Sequence, residues 1–364
     1  MYHTDTIPNH VSRRTLRGSG DTPQAGRVDE SPHRERTVDP PQDIEKYALS
    51  TIAWPCRIRE QQLQSHEAPV RQRTLQRSVE TQGVGLHSGK LVSLRLLPAP
   101  ANTGIVFVRT DLDGREVPAR VEWVAQQELA MSLRRDGAQI LTVEHLLAAL
   151  YATGVDNVRV ELNGPEVPVF DGSSRMFVHL IDEAGIKNLA AHQSTLVVRE
   201  AVRVGISDER FVLIEPADSY EVDYTIEFNH SLVGCQRVVL DVTEESFRNE
   251  LSSARTFCFL KDVEAMRSRG LALGGSLESA VVIGDNGFLS APRMQDEFVR
   301  HKALDVVGDL ALIGFRIRGR VVARCAGHAL HAELVRTLLR NHAAWNIETG
   351  TSPIPAIDRV LATA

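Results

Sequence analysis

The chain has 364 residues, 43% of them hydrophobic and 24% charged, with a formal net charge of −6. That length points to about two domains at ~150 residues each, and the balance excludes a wholly disordered chain. No run nears the ~20 apolar residues of a membrane span, and the acidic balance lacks the basic footprint of a nucleic-acid binder. Residues 1–69 are rich in Arg, Pro, Gln and Glu and show no apolar period, which marks an N-terminal extension outside the folded part; Ile52, Trp54 and Ile58 are its only apolar anchors. The four cysteines, Cys56, Cys235, Cys258 and Cys325, are scattered, which fits a reducing compartment better than a disulfide framework. With no signal-peptide layout at the start, the chain reads as soluble and cytoplasmic.

Regular patterning begins near Arg73. Val92, Leu94 and Leu96 read as a half-buried strand broken by Pro98–Asn102, and Ile105–Val108 as the next. Val143, Leu146, Leu147 and Leu150 predict a helix with Thr142 as N-cap and Gly154 as stop. Val158–Leu162 is a strand, and Met176–Ala184 a helix ended by Gly185. The pattern restarts after Ala191. Strands are expected at Leu196–Val198, Val202–Val204 and Val222–Phe228, and helices at Glu244–Ser253, Asp296–Gly314 and Ala329–Asn341. Both halves mix strands with a few helices, so the fold class is α+β: an extension at 1–69, a first domain at 70–192 and a second at 193–364.

In the helix Asp296–Gly314, His301, Asp305 and Asp309 recur every four residues and share one stripe. Such a stripe is a solvated face, a core His–Asp pair, or a pair of metal ligands one turn apart. Glu144 and His145 open another helix. There they are ordinary first-turn residues, or a general base beside a third ligand if the two helices converge. His328 precedes the last helix and is a helix-start histidine or a general acid. Arg255, Thr256 and Phe257 offer a cation, a hydroxyl and a ring. The run Gly270–Ser276 lacks the endings of a P-loop or a dinucleotide fold.

Taken together, these segments resemble UDP-3-O-acyl-N-acetylglucosamine deacetylases, the zinc enzymes of lipid A synthesis in Gram-negative bacteria. The resemblance is carried by Gly83–Gly89, Pro98–Gly104, Thr142–Leu146, Gly154–Asn157, Pro165–Pro168, Asp171–Ser173, Ser253–Phe257, Ser268–Ser276, Glu297–Lys302 and Gly327–Leu330, in order from about Arg73 onward. It implies two similar two-layer α/β sandwich domains with their helices packed together and the active site between them. It implies His145, His301 and Asp305 as zinc ligands, with iron(II) as the alternative metal. Glu144 would be the general base, His328 the general acid oriented by Asp309, and Thr256 a holder of the oxyanion. Lys302, Phe257 and Arg210, the last in place of a family lysine, would contact substrate.

A β-α-β insert at about 259–283 would form an apolar passage for the acyl chain, lined by Val263, Met266, Ala272, Leu277, Ala280 and Val282, with Leu86. The reaction implied is hydrolysis of the acetamide of an acylated UDP-amino-sugar, the committed step of lipopolysaccharide lipid A synthesis, by a monomer in transient contact with the inner membrane surface. Two other readings stand beside it: a zinc amidohydrolase of the same fold with another substrate, and a catalytically degenerate binding protein.

Overall fold

The computed structural model describes residues 70–125 and 129–348. The expectations for 1–69, including Ile52, Trp54, Ile58 and Cys56, fall outside the described residues.

In the first half, Val79–Val84, Leu91–Pro98, Val158–Leu162, Ile105–Arg109 and Arg115–Pro118 form a five-stranded sheet in that order. Its pairs are antiparallel except Ile105–Arg109 with Val158–Leu162. Alternation along Leu91–Pro98 buries Val92, Leu94 and Leu96, as the period-two pattern predicts. Helix α1 (Glu144–Ala152) packs on α2 (Arg175–Ala184). Arg71–Leu75 pairs with Ile186–His192 and ties the beginning of this half to its end.

Thr142 does not cap α1; Val143 does. Thr142 sits at φ +57° and its hydroxyl donates to Glu166 Oε1 at 3.1 Å. The Glu166 side chain is wholly buried and also accepts the His87 and Ser88 backbone N–H groups, at 2.7 and 2.8 Å. A buried carboxylate left short of donors is costly, and that requirement outweighs a helix cap.

The second half is a seven-stranded sheet around Arg316–Arg324. That strand pairs with Phe211–Glu215, with Tyr220–Glu227 and with Thr195–Val198; Val202–Gly205, Cys235–Asp241 and Trp345–Glu348 extend the sheet. The helix expected over Glu244–Ser253 is one short turn, α3 (Glu244–Ser246), followed by a wider turn at Phe247–Leu251. The Ser252 N–H reaches back five residues to Phe247 O, and both Phe247 and Leu251 are buried. Next comes a β-α-β unit, Phe257–Phe259, α4 (Leu260–Ser268) and Val281–Gly284, with its strands parallel. Helices α5 (Glu297–Leu310) and α6 (His328–Arg340) follow.

Helices α1 and α5 cross at Gly308, where a Cβ would lie 2.0 Å from Glu144 O. This close approach requires glycine and brings the helices of His145 and His301 together.

One buried charge tests the second sheet. Asp223 accepts Arg237 Nε at 2.8 Å and Arg320 at 2.6 Å, and its carboxyl is held below the usual range, first by the Arg237 hydrogen bond. A lowered folded pKa contributes stability above the unfolded value and loses it as pH falls through the folded one. Asp223→Asn should therefore lower the melting temperature most above about pH 4. The gap to the wild type should narrow in more acid solution. A gap that widens on acidification, in a melting series from neutral to acid pH, would contradict this ionic role.

Candidate active site

The stripe on α5 is buried, as is the first turn of α1: Glu144, His145, His301, Asp305 and Asp309 are at most 4% exposed. The solvated-face reading therefore does not hold. His145 Nε2 lies 3.5 Å and His301 Nε2 3.4 Å from the same atom, Asp305 Oδ1. Tetrahedral ligands at ~2.0–2.1 Å from one ion stand about 3.3 Å apart. Asp305 Oδ1 is buried with no hydrogen-bond partner among the described residues. The donor set and this orphaned oxygen fit a divalent cation. His301 Nδ1 is 3.1 Å from Ala254 O, which fixes Nε2 as the nitrogen free to coordinate.

The local electrostatics suit ligation. Burial holds the His301 imidazole down to about 3, so it is neutral at physiological pH. Burial would raise Asp305, yet His301 and Lys302 hold it well below the carboxylate range. Lys302 Nζ donates to Asp305 Oδ2 at 2.7 Å.

Glu144 flanks this cluster. Its Oε2 accepts the Met131 N–H at 3.1 Å, and its Oε1 lies 3.8 Å from His328 Nε2. Burial pushes Glu144 up, against the pull of His328 and His145. His328 is opposite in kind: burial would lower it, but Asp309 Oδ2, 2.7 Å from Nδ1, holds it above the usual value. A carboxylate pushed up by burial thus faces an imidazole whose charged form Asp309 favours, the pairing expected of a base and an acid working together.

Leu86, Ala130, Thr256 and Phe257 line the same cleft. Thr256 is placed by its backbone, which donates to Gly172 O and accepts from Val281. Gly172 has φ +78°, and a Cβ there would lie 1.8 Å from Ser279 O. Phe257 packs on Phe298, ring centroids 4.7 Å apart, and turns its edge to His301. Arg255 is no free cation: it is buried and ion-paired with Glu297 at 2.9 Å.

In and beside the β-α-β unit, Met266, Ala272 and Val282 form a small apolar cluster with Cys258, and Val263 packs against it. Ala280 is buried nearby in sequence, while Leu277 is 50% exposed and outside the cluster. The glycine run folds over the Gly85–Gly89 turn, with Gly274 N–H donating to Leu86 O at 2.9 Å. Arg210 lies between strands Val202–Gly205 and Phe211–Glu215, is one of the charges acting on Tyr224, and is outside the lining of this cleft.

Sequence reasoning missed Glu166 and His331. The signal for His331 was its place three residues after His328, on the same helix face.

Among the described residues no helix is long and apolar enough to cross a membrane. Residues 72–340 match the family model LpxC, UDP-3-O-acyl N-acetylglycosamine deacetylase. The chain is 46% identical over 290 residues to a UDP-3-O-acyl-N-acetylglucosamine deacetylase of Anaeromyxobacter dehalogenans, covering 79% of this chain and 94% of the relative. To that of Myxococcus xanthus it is 46% identical over 279 residues, 76% and 88% of the two chains. To that of Hahella chejuensis it is 43% identical over 302 residues, 80% of this chain and all of the relative. With a matched segment that holds α1, α5, the cleft and the β-α-β unit, this chain belongs to the UDP-3-O-acyl N-acetylglycosamine deacetylase family.

Proposed function

We propose that the protein hydrolyses the acetamide of a UDP-3-O-acyl-N-acetylglucosamine, releasing acetate and the free amine for lipid A synthesis. The observation that carries this reading is the convergence of His145, His301 and Asp305 on one point, with Glu144 and His328 facing each other beside it. His145, His301 and Asp305 would hold a divalent ion, and two imidazoles with one carboxylate suit zinc, with iron(II) as the alternative. Such an ion supplies Lewis acidity, bringing the pKa of water towards ~7 and polarising the amide carbonyl.

The chain's own residues do the rest. Glu144 Oε1 takes the proton of the attacking water, while the Met131 N–H holds Oε2 in place. The Thr256 hydroxyl and the charged His328 stabilise the oxyanion as it forms. His328 Nε2 then gives its proton to the departing amine, and Asp309 keeps the opposite ring nitrogen bonded throughout. Lys302 and Phe257 serve substrate binding in the cleft, and Arg210 serves it from outside the cleft lining. The acyl chain runs along Leu86 and the insert, past Val263, Met266, Ala272, Leu277, Ala280 and Val282. On this reading residues 70–192 and 193–364 are two domains of a cytoplasmic monomer that touches the inner membrane surface transiently.

Removal of metal tests the reading directly. Chelation to a verified metal-free protein should abolish deacetylation of the acylated UDP-sugar, and one equivalent of zinc should restore it. Undiminished turnover by the metal-free protein would refute the chemistry. Restored metal without turnover on substrates of short and long acyl chain would refute the substrate and favour another amide.

A further inference from the structure

We infer that His331 is a positioning residue of the reaction: it pins the Asp309 carboxylate so that one oxygen serves His328. The inference rests on the reading of His328 as the proton donor. His331 Nδ1 lies 2.7 Å from Asp309 Oδ2, the same oxygen that lies 2.7 Å from His328 Nδ1. A carboxylate only accepts, so both ring nitrogens donate to it. Asp309 Oδ1 has no partner among the described residues. The carboxylate is therefore held through one oxygen by two imidazoles, and losing either leaves it one donor and freedom to turn.

The pinning group is itself fixed. With Nδ1 carrying the proton, His331 Nε2 is an acceptor 3.2 Å from the Tyr224 hydroxyl, whose one proton it shares with Ala326 O, 2.8 Å away. Ala326 stands two residues before His328, so the contacts run Tyr224, His331, Asp309, His328 and close on the loop that presents His328. His328 Nε2 is thereby aimed at Glu144 Oε1, 3.8 Å away, and Asp305 Oδ2, 3.9 Å away.

A purely structural residue on this wholly buried helix face would be apolar, because an imbedded imidazole costs desolvation unless it is bonded on both nitrogens. Nor does the trio read as a second metal centre. Separations of 2.7 Å between nitrogen and oxygen are hydrogen-bond lengths, shorter than the about 3.3 Å between ligands of one tetrahedral ion.

The test uses the zinc-loaded full chain. His331→Leu removes the donor and should lower kcat about ten- to a hundredfold with KM nearly unchanged, the size expected when a reacting group loses its alignment. His331→Asn, which restores an N–H donor, should recover much of the loss. The imidazole N–H resonance of His331, downfield of the amides in the wild type, should be missing in His331→Leu, while those of His328 and His301 remain. Tyr224→Phe should lower kcat in the same direction and reports independently if His331→Leu fails to fold. Wild-type kcat in His331→Asn and Tyr224→Phe together with any folded His331→Leu would overturn the inference. So would a loss that His331→Asn shares in full while only the melting temperature tracks it. His328→Ala separates the two levels: if it retains activity, the reading of His328 fails; if it is inactive while the His331 variants are not, only this inference does.

Discussion

Glu144→Gln should lower kcat by about 10²- to 10⁴-fold, the usual contribution of a positioned general base, with KM little changed. The amide matches the carboxylate in shape, and its oxygen can still accept the Met131 N–H now bonded to Oε2. His145, His301 and Asp305 are untouched, so the variant should bind metal as the wild type does. This combination separates proton transfer from assembly of the site. A kcat within about threefold of wild type, at full metal occupancy, would remove Glu144 from the mechanism; equal loss of metal would turn it into a structural residue.

Gly308→Ala should produce a large structural effect from one methyl group. By intrinsic propensity, alanine in a helix interior should stabilise by about 1 kcal/mol over glycine. Here the new Cβ would meet backbone, lying 2.0 Å from Glu144 O and 2.8 Å from Glu144 C. Backbone cannot swing aside as a side-chain tip does, so the helices must separate. Overpacking of this kind costs about 1–3 kcal/mol or more. The same separation spreads His145 from His301 and Asp305, so metal affinity and kcat should fall with the melting temperature. A calorimetric scan with a metal titration decides it: a melting temperature equal to or above wild type, with metal retained, would mean that the crossing is looser than its geometry.

Much of the site was legible in the sequence because helical spacing is a local rule. His301, Asp305 and Asp309 recur every fourth residue, so any helix there had to align them. Their burial was not local: it depends on α1 crossing α5, and nothing within either helix specifies its partner. The same limit hid Glu166, whose three donors come from Thr142 and from the His87 and Ser88 backbone. It also hid the strand Arg316–Arg324. Its four arginines look like a solvated segment, while Ile317, Val321 and Ala323 alternate inward. The arginines are neutralised from elsewhere, Arg316 by Asp156, Arg320 by Asp223, Arg324 by Glu227 and Arg318 by Glu348. Thr142 misled for a related reason, since a cap is a local preference that a distant buried carboxylate overruled.

The strand order of the second sheet bears on how the chain comes off the ribosome. Thr195–Val198 is bordered by Arg316–Arg324 and by Trp345–Glu348, both more than a hundred residues downstream. The first sheet, by contrast, finds every neighbour between Val79 and Leu162 and can close early. During synthesis the second sheet must therefore wait, its early strands carrying open edges of the kind that recruit other chains. Nascent polypeptides stalled before residue 316 should hold a closed first sheet beside an incomplete second one with open strand edges.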